Sequence, residues 1–347
     1  MSDSTHAIAA QTLFDGVNVR NNVAVLIRGG QIVGISDRDK VSSAIPMQEL
    51  PDNVWLAPGF IDIQVNGGGD LLFNDAPTSE TIQAIAKAHR RFGTTALLPT
   101  LISDSPDKMP KAIAAVEEAA AANPSILGIH LEGPFLSPEK AGVHDPRALR
   151  RPSEADIALI TAKRKSVTLV TLAPEQVGEG VIAALVKAGI HVALGHSMAT
   201  YAQTLAAMRQ GLTGFTHLFN AMRPLESREP GPIAAALESP EAWYGLIVDG
   251  VHVAPAMLRL ALRGAGHPIL VTDAMPPVGG IRQSFRLNGE DIFVRDGRSQ
   301  LRRVARRAAH QRAALCLDAS GASSRPRSRL GSAAAGIPCR HGRLRFC

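Results

Sequence analysis

The sequence predicts an α/β fold: a (β/α)8, TIM-like barrel with a small β-sandwich domain built from the N-terminal strands and the strands that follow the barrel. Three observations lead there. Apolar runs of four to eight residues alternate with helix-periodic segments through the middle of the chain, the pattern of βα units and a parallel sheet. Eight such repeats occupy about 220 residues, which fits a closed barrel better than a doubly wound sheet. Both flanks read instead as short strands joined by turn dipeptides. The boundaries that follow are 1–57 for the first part of the small β domain, 58–280 for the barrel, 281–297 for the return to the small domain, and 298–347 for an atypical tail.

In chain order, Leu13-Phe14 runs into Asp15-Gly16, and Val23 to Ile27 runs into Gly29-Gly30 before Gln31 to Ile35. These dipeptides signal hairpins because their central residues need positive φ. The eight expected barrel strands are Phe60–Asn66, Thr94–Pro99, Ile126–Glu132, Val167–Ala173, Ile190–His196, Gly214–His217, Trp243–Asp249 and Ile269–Asp273. Between them, Thr78-Ser79-Glu80 opens a helix carrying Ile82, Ile85 and His89, and Gly93 closes it. Met109, Ile113 and Val116 form a second stripe that stops at Asn123-Pro124, and Ser153 with Asp156 opens a third helix. Gly67-Gly68-Gly69-Asp70 has neither dinucleotide-motif nor P-loop spacing and reads as a plain loop. After the barrel, Phe285 and Leu287, Asn288-Gly289, Ile292 and Val294 repeat the hairpin pattern.

Charge divides the 347-residue chain differently from its total. The net +6 and a pI near 9.5 suggest a basic protein, yet residues 298–347 hold twelve Arg, one acidic residue (Asp318) and all three cysteines. Residues 1–297 keep 25 basic and 30 acidic side chains, a net of −5, and no cysteine. The body therefore contains no disulfide and no C-x-x-C metal or redox motif. No apolar run approaches the ~18 residues of a membrane span, and the N-terminus lacks a secretory pattern. A cytoplasmic protein is expected, with no membrane association.

Barrel catalytic groups come from the C-terminal ends of several strands. Here those ends carry Gln64-Val65-Asn66, His130-Leu131-Glu132, Gly195-His196-Ser197, Thr216-His217-Leu218-Phe219-Asn220 and Thr272-Asp273, with Gly250-Val251-His252 just past the seventh. Each alone has an ordinary reading as a core histidine or a cap. Together, four ionisable groups ending four apolar strands are costly unless paired or metal-bound. One carboxylate and two imidazoles from different strands suit a catalytic divalent ion with an open position. Asp273 is the natural general base. His130, two residues before Glu132, reads as a packed core histidine.

Pro58-Gly59-Phe60-Ile61-Asp62, His130-Leu131-Glu132-Gly133-Pro134-Phe135, Gly195-His196-Ser197, Thr216-His217-Leu218-Phe219-Asn220-Ala221-Met222 and Val271-Thr272-Asp273-Ala274 together resemble the N-acetylglucosamine-6-phosphate deacetylase family of the amidohydrolase superfamily. The likeness runs from about residue 10 to about residue 297, and Arg228-Glu229-Pro230-Gly231 and Asp249-Gly250-Val251-His252 extend it. The resemblance implies that Glu132, His196 and His217 bind one divalent metal ion, with zinc expected and iron(II) or another ion the alternative. It implies that Asp273 activates water and then protonates the departing amine, while His144 stabilises the oxyanion. Asn220, the Ala221 backbone, Arg228, His252 and Gln64 would bind a small-molecule sugar phosphate. Gln64 and Asn66 stand where many amidohydrolases have H-x-H, and neutral amides are poor ligands, so a single metal is implied. A homodimer or higher homo-oligomer is expected, without nucleic acid. The galactosamine epimer is the alternative substrate.

The resemblance stops near Gly297. Eight of the last fifty residues are Leu, Ile, Val or Phe, too few for a folded segment of that charge. The composition fits an out-of-frame continuation of a GC-rich gene better than a basic nucleic-acid-binding arm or a folded extension. Missing partner strands predict poor stability and aggregation, and an inactive truncated product is the alternative to an enzyme.

Overall fold

The computed structural model describes residues 4–295 and 298–301, and these form two compact units that divide between Pro58 and Gly59. In the first unit, β1 (His6–Phe14), β2 (Val19–Arg28) and β3 (Gln31–Asp37) make an antiparallel meander, and β4 (Met47–Glu49) and β5 (Trp55–Leu56) add to β1 in parallel. The β2–β3 turn uses Gly29 and Gly30 at φ of 57° and 80°, where a side chain would be strained. This sheet carries two small apolar clusters, one of Leu13, Val23 and Val25 and one of Ala7, Ala9 and Ala24.

The second unit is the barrel. Its elements in order are β6 (Phe60–Val65), β7 (Gly67–Gly68), β8 (Leu71–Leu72), α1 (Ser79–Arg90), β9 (Thr94–Ile102), α2 (Lys108–Ala122), β10 (Gly128–Glu132), α3 (Glu154–Thr161), β11 (Val167–Leu172), α4 (Val181–Lys187), β12 (His191–Leu194), α5 (Tyr201–Arg209), β13 (Gly214–Phe215), α6 (Gly231–Glu238), β14 (Trp243–Leu246), α7 (Pro255–Ala261) and β15 (His267–Leu270). Eight strands pair in parallel in sequence order from β6 through β9 to β15. Between β15 and β6 the only pairing among the described residues is a single bridge, Val65 to Ala274. Seven α-helices separate the eight strands among the described residues.

The continuous apolar runs reflect burial on both faces. Leu97, Leu101, Ile129, Leu131, Val170, Leu172, Val192 and Leu194 join the large cluster with the helices. Alternate residues Leu98, Leu169 and Ala193 form a separate cluster with Ile63 and Trp243. Helix starts follow local chemistry: Thr78 Oγ1 accepts from the Thr81 N–H, and Ser153–Asp156 and Thr200–Gln203 form capping boxes.

Several details differ from expectation, among them the eighth barrel strand, which runs His267–Leu270 rather than Ile269–Asp273 and leaves Asp273 beyond its end. The second barrel strand continues past Pro99 to Ile102, because a proline costs a strand only where its missing N–H is needed. Gly67–Gly68 and Leu71–Leu72 pair as a short antiparallel unit rather than a loop. A Cβ on Gly67 would lie 2.4 Å from the Leu71 carbonyl oxygen, so close backbone approach explains that glycine. Finally, β16 (Ser284–Leu287), β17 (Glu290–Arg295) and β18 (Arg298–Leu301) form a three-stranded sheet of their own. Leu287 and Ile292 pack on Leu72 and Ile102 of the barrel unit. The first four residues of the expected tail are thus a strand, and residues 302–347 lie outside the described residues. No helix among the described residues is long and apolar enough to cross a membrane.

Candidate active site

Glu132 ends β10, and His196, His217 and Asp273 each lie two or three residues past the end of a strand. These last three hold φ of 47°, 32° and 49°. Left-handed backbone costs a non-glycine residue about 1–2 kcal/mol, and it turns each side chain at the point where the strand stops.

Three donor atoms converge. Glu132 Oε1 lies 3.1 Å from His196 Nε2 and 3.0 Å from His217 Nε2, and the two Nε2 atoms are 3.0 Å apart. All three residues are buried. His196 Nδ1 is 2.7 Å from the Lys140 carbonyl oxygen, which only accepts, so Nδ1 carries the proton and the Nε2 lone pair faces the cluster. Glu132 Oε2 accepts from Gln64 Nε2 at 3.2 Å. Burial alone would raise the Glu132 carboxyl, but the two imidazoles set against it hold it well below the usual carboxylate range. Burial opposes charge on His217 as well, yet the Glu132 bond and charge outweigh it and raise that imidazole to about 8. The negative charge that favours a proton there equally favours a cation.

His144 stands beside this cluster, its ring edge-on to His196 with centroids 4.4 Å apart. The Ser103 backbone N–H donates to His144 Nδ1 at 3.1 Å, and Ser103 Oγ lies 2.9 Å from the same atom. Nδ1 must then be the acceptor, leaving the proton on Nε2. Burial, reinforced by the neighbouring His196, lowers His144 to about 3, so the ring is neutral. Asp273 Oδ1 accepts from Asn66 Nδ2 at 2.7 Å. Burial first, then the Glu132 charge, raises Asp273 to about 6.

The other expected residues are placed unequally. Asn220 lies in the turn after His217 and donates from Nδ2 to the His217 carbonyl oxygen at 3.3 Å. Ala221, at φ 48°, accepts the Ser197 N–H at 3.1 Å. Arg228 and His252 are both exposed, and no hydrogen bond among the described residues joins either to the cluster. His252 Nδ1 pairs with Asp249 at 2.6 Å. His130 is 1% exposed, bonded through Nε2 to Thr171 Oγ1 at 2.7 Å and through Nδ1 to Thr100 Oγ1 at 3.3 Å. It is a satisfied barrel-interior histidine, lowered by burial to about 4. Motif reading misses Ser103, the Lys140 carbonyl, the Asn66 bond to Asp273, and Glu175, whose carboxylate takes Ser197 Oγ–H at 2.8 Å and the Met198 N–H at 2.5 Å. Their chemistry is ordinary, and only their positions make them relevant.

Comparison with known proteins decides the family, because the amidohydrolase family model matches residues 55–318. The chain belongs to the amidohydrolase family. This amidohydrolase is 42% identical over 296 residues to the N-acetylgalactosamine-6-phosphate deacetylase of Shewanella sp. (strain ANA-3), covering 84% of this chain and 74% of that protein. It is 34% identical over 298 residues to the N-acetylglucosamine-6-phosphate deacetylase of Haemophilus influenzae, covering 84% and 78%. The crystal structure of N-acetylglucosamine-6-phosphate deacetylase from Pasteurella multocida superposes with a TM-score of 0.82 at 33% identity, over 85% of this chain and 78% of that one. Membership implies a divalent metal ion. Two inward imidazole nitrogens and a carboxylate oxygen, mutually within 3.1 Å, fit that requirement as three protein ligands.

Proposed function

We propose that this amidohydrolase removes the acetyl group of N-acetylglucosamine 6-phosphate, giving glucosamine 6-phosphate and acetate. The observation that carries the reading is the convergence of Glu132, His196 and His217, with the His144 ring edge-on to His196 beside them. The deacetylase relatives supply the substrate class. Zinc suits the donor set, and iron(II) shares the two-histidine, one-carboxylate preference.

When bound, the ion supplies Lewis acidity that makes a water more acidic and polarises an amide oxygen. Asp273 takes a proton from the attacking water at Oδ2, since Oδ1 is engaged by Asn66. It then delivers that proton to the departing amine nitrogen, a transfer favoured when the carboxyl lies near the working pH. His144 donates from Nε2 to the carbonyl oxygen as it gains charge. Gln64 holds Glu132, and the family resemblance assigns it to the substrate. Asn220 and the Ala221 backbone bind the sugar, and Arg228 and His252 meet the phosphate, for which the guanidinium fork is suited. The family resemblance also supports a cytoplasmic homodimer or higher oligomer without membrane or nucleic-acid partners.

Acetate release from N-acetylglucosamine 6-phosphate tests the reading, with the galacto epimer run in parallel because the Shewanella relative carries that name. Asp273→Asn is expected to lower kcat about 10²–10⁴-fold with metal content unchanged. Equal activity in the variant, or isolated protein without divalent metal, would overturn it. Metal analysis of the same preparation separates zinc from iron.

A further inference from the structure

Seven of the eight neighbour contacts around the barrel are ladders; β14 and β15, for example, share four registered pairs. The eighth, between β15 and β6, has one bridge. Asp273 sits at this seam with a strained φ of 49°, so its orientation depends on what anchors its neighbours.

Downstream, the anchor is backbone: the Ala274 carbonyl oxygen accepts the N–H groups of Asn66 and Gly67, each at 2.9 Å. Upstream, it is a side chain. Asp62 Oδ2 accepts the Thr272 hydroxyl at 2.5 Å, and Oδ1 accepts the Thr272 N–H at 3.3 Å. The same Oδ1 accepts the Gln64 N–H at 3.1 Å, and Gln64 holds Glu132. Asp62 is 3% exposed, and a buried carboxylate needs such donors. One carboxylate thereby ties the residue preceding Asp273 to the residue that supports the Glu132 ligand.

We infer that Asp62, acting through Thr272, is a positioning residue that fixes Asp273 relative to the Glu132–His196–His217 cluster where the barrel lacks a ladder. The inference rests on the reading of Asp273 as the proton carrier. It predicts that loss of the Thr272 hydroxyl misplaces the proton transfer without weakening substrate binding.

The test compares Thr272→Val, Thr272→Ser and wild type as isolated, metal-loaded full chains. Thr272 is exposed, so the valine variant is expected to fold. Thr272→Val should lower kcat about 10–100-fold with KM within about twofold. Its metal content should match wild type, and amide exchange over residues 271–275 should be faster. Thr272→Ser, which keeps the hydroxyl, should stay within about threefold of wild-type kcat. Wild-type kcat in Thr272→Val, or equal losses in both variants, overturns the inference. If Thr272→Val is insoluble, Asp62→Asn is read by the same split between kcat and KM. If wild type releases no acetate, or Asp273→Asn matches it, the assigned reaction fails. The exchange measurement then judges the clasp alone, and unaltered exchange overturns it.

Discussion

Ser103 shows how an unremarked residue sets the chemistry of a remarked one. Its backbone N–H and hydroxyl both address His144 Nδ1, which fixes the ring as an Nε2–H donor, and burial keeps the ring neutral. A protonated imidazole would also donate, but it would stand beside His196 and a bound cation at an electrostatic cost. His144→Ala should therefore lower kcat about 10²–10³-fold with a smaller change in KM. Ser103→Ala, which keeps the backbone donor, should cost less than about tenfold. Steady-state kinetics of the pair checks this, and equal losses would mean that the hydroxyl rather than the amide fixes the tautomer. Glu132, His196, His217 and Asp273 stand in recognisable motifs and are legible in the amino-acid sequence, while His144 is reached only through the family resemblance. Ser103 is not legible, because it meets His144 across 41 residues of chain.

At the scale of elements, local signals serve best where neighbours in sequence decide the outcome. Ser153 and Asp156 form the capping box that starts α3, and Asp156 also takes a bidentate pair from Arg150, with Nη2 to Oδ1 at 2.7 Å. The Arg150 bond first, with the Ser153 bonds helping against burial, holds the Asp156 carboxyl at about 2. A carboxylate lowered on folding stabilises the native state fully above its unfolded pKa and loses that contribution as pH falls through the folded value. Asp156→Ala should cost about 1–3 kcal/mol near neutral pH, and the gap to wild type should close between about pH 4 and pH 2. Urea denaturation at several pH values reads it, and a gap independent of pH would contradict the assignment. The eight strand positions are equally legible, since apolar runs between helical periods are local facts. The extension of β9 to Ile102 is not, because it depends on a neighbour that does not need the Pro99 N–H. The pairing of β16, β17 and β18 into their own sheet is also hidden, because the turn dipeptides mark a hairpin without naming the surface it covers.

For the whole molecule, the donor cluster links metal to stability. If a cation sits, as proposed, among the two Nε2 atoms and the carboxylate oxygen held within 3.1 Å, removing it removes free energy from the folded state. At a hundredfold excess of metal over its dissociation constant the effect is about 2.7 kcal/mol, and chelation should lower Tm by about 5–10 °C. Thermal melts with chelator and after zinc return check this, and an unchanged Tm would show that the cluster holds no stabilising ion. The sequence by itself determined the βα repeat, the acidic body apart from the Arg-rich tail, and the residue types at the strand ends, because periodicity, charge and motif spacing are written along one dimension. Tertiary structure decided which of those side chains meet. Asn66 reaches Asp273 across 207 residues and Asp62 reaches Thr272 across 210, contacts that exist only because the barrel returns its eighth strand to its first. It also separated Glu132, His196 and His217, which converge, from Arg228 and His252, which stand on exposed loops, since convergence is a property of closure that spacing along the chain does not record.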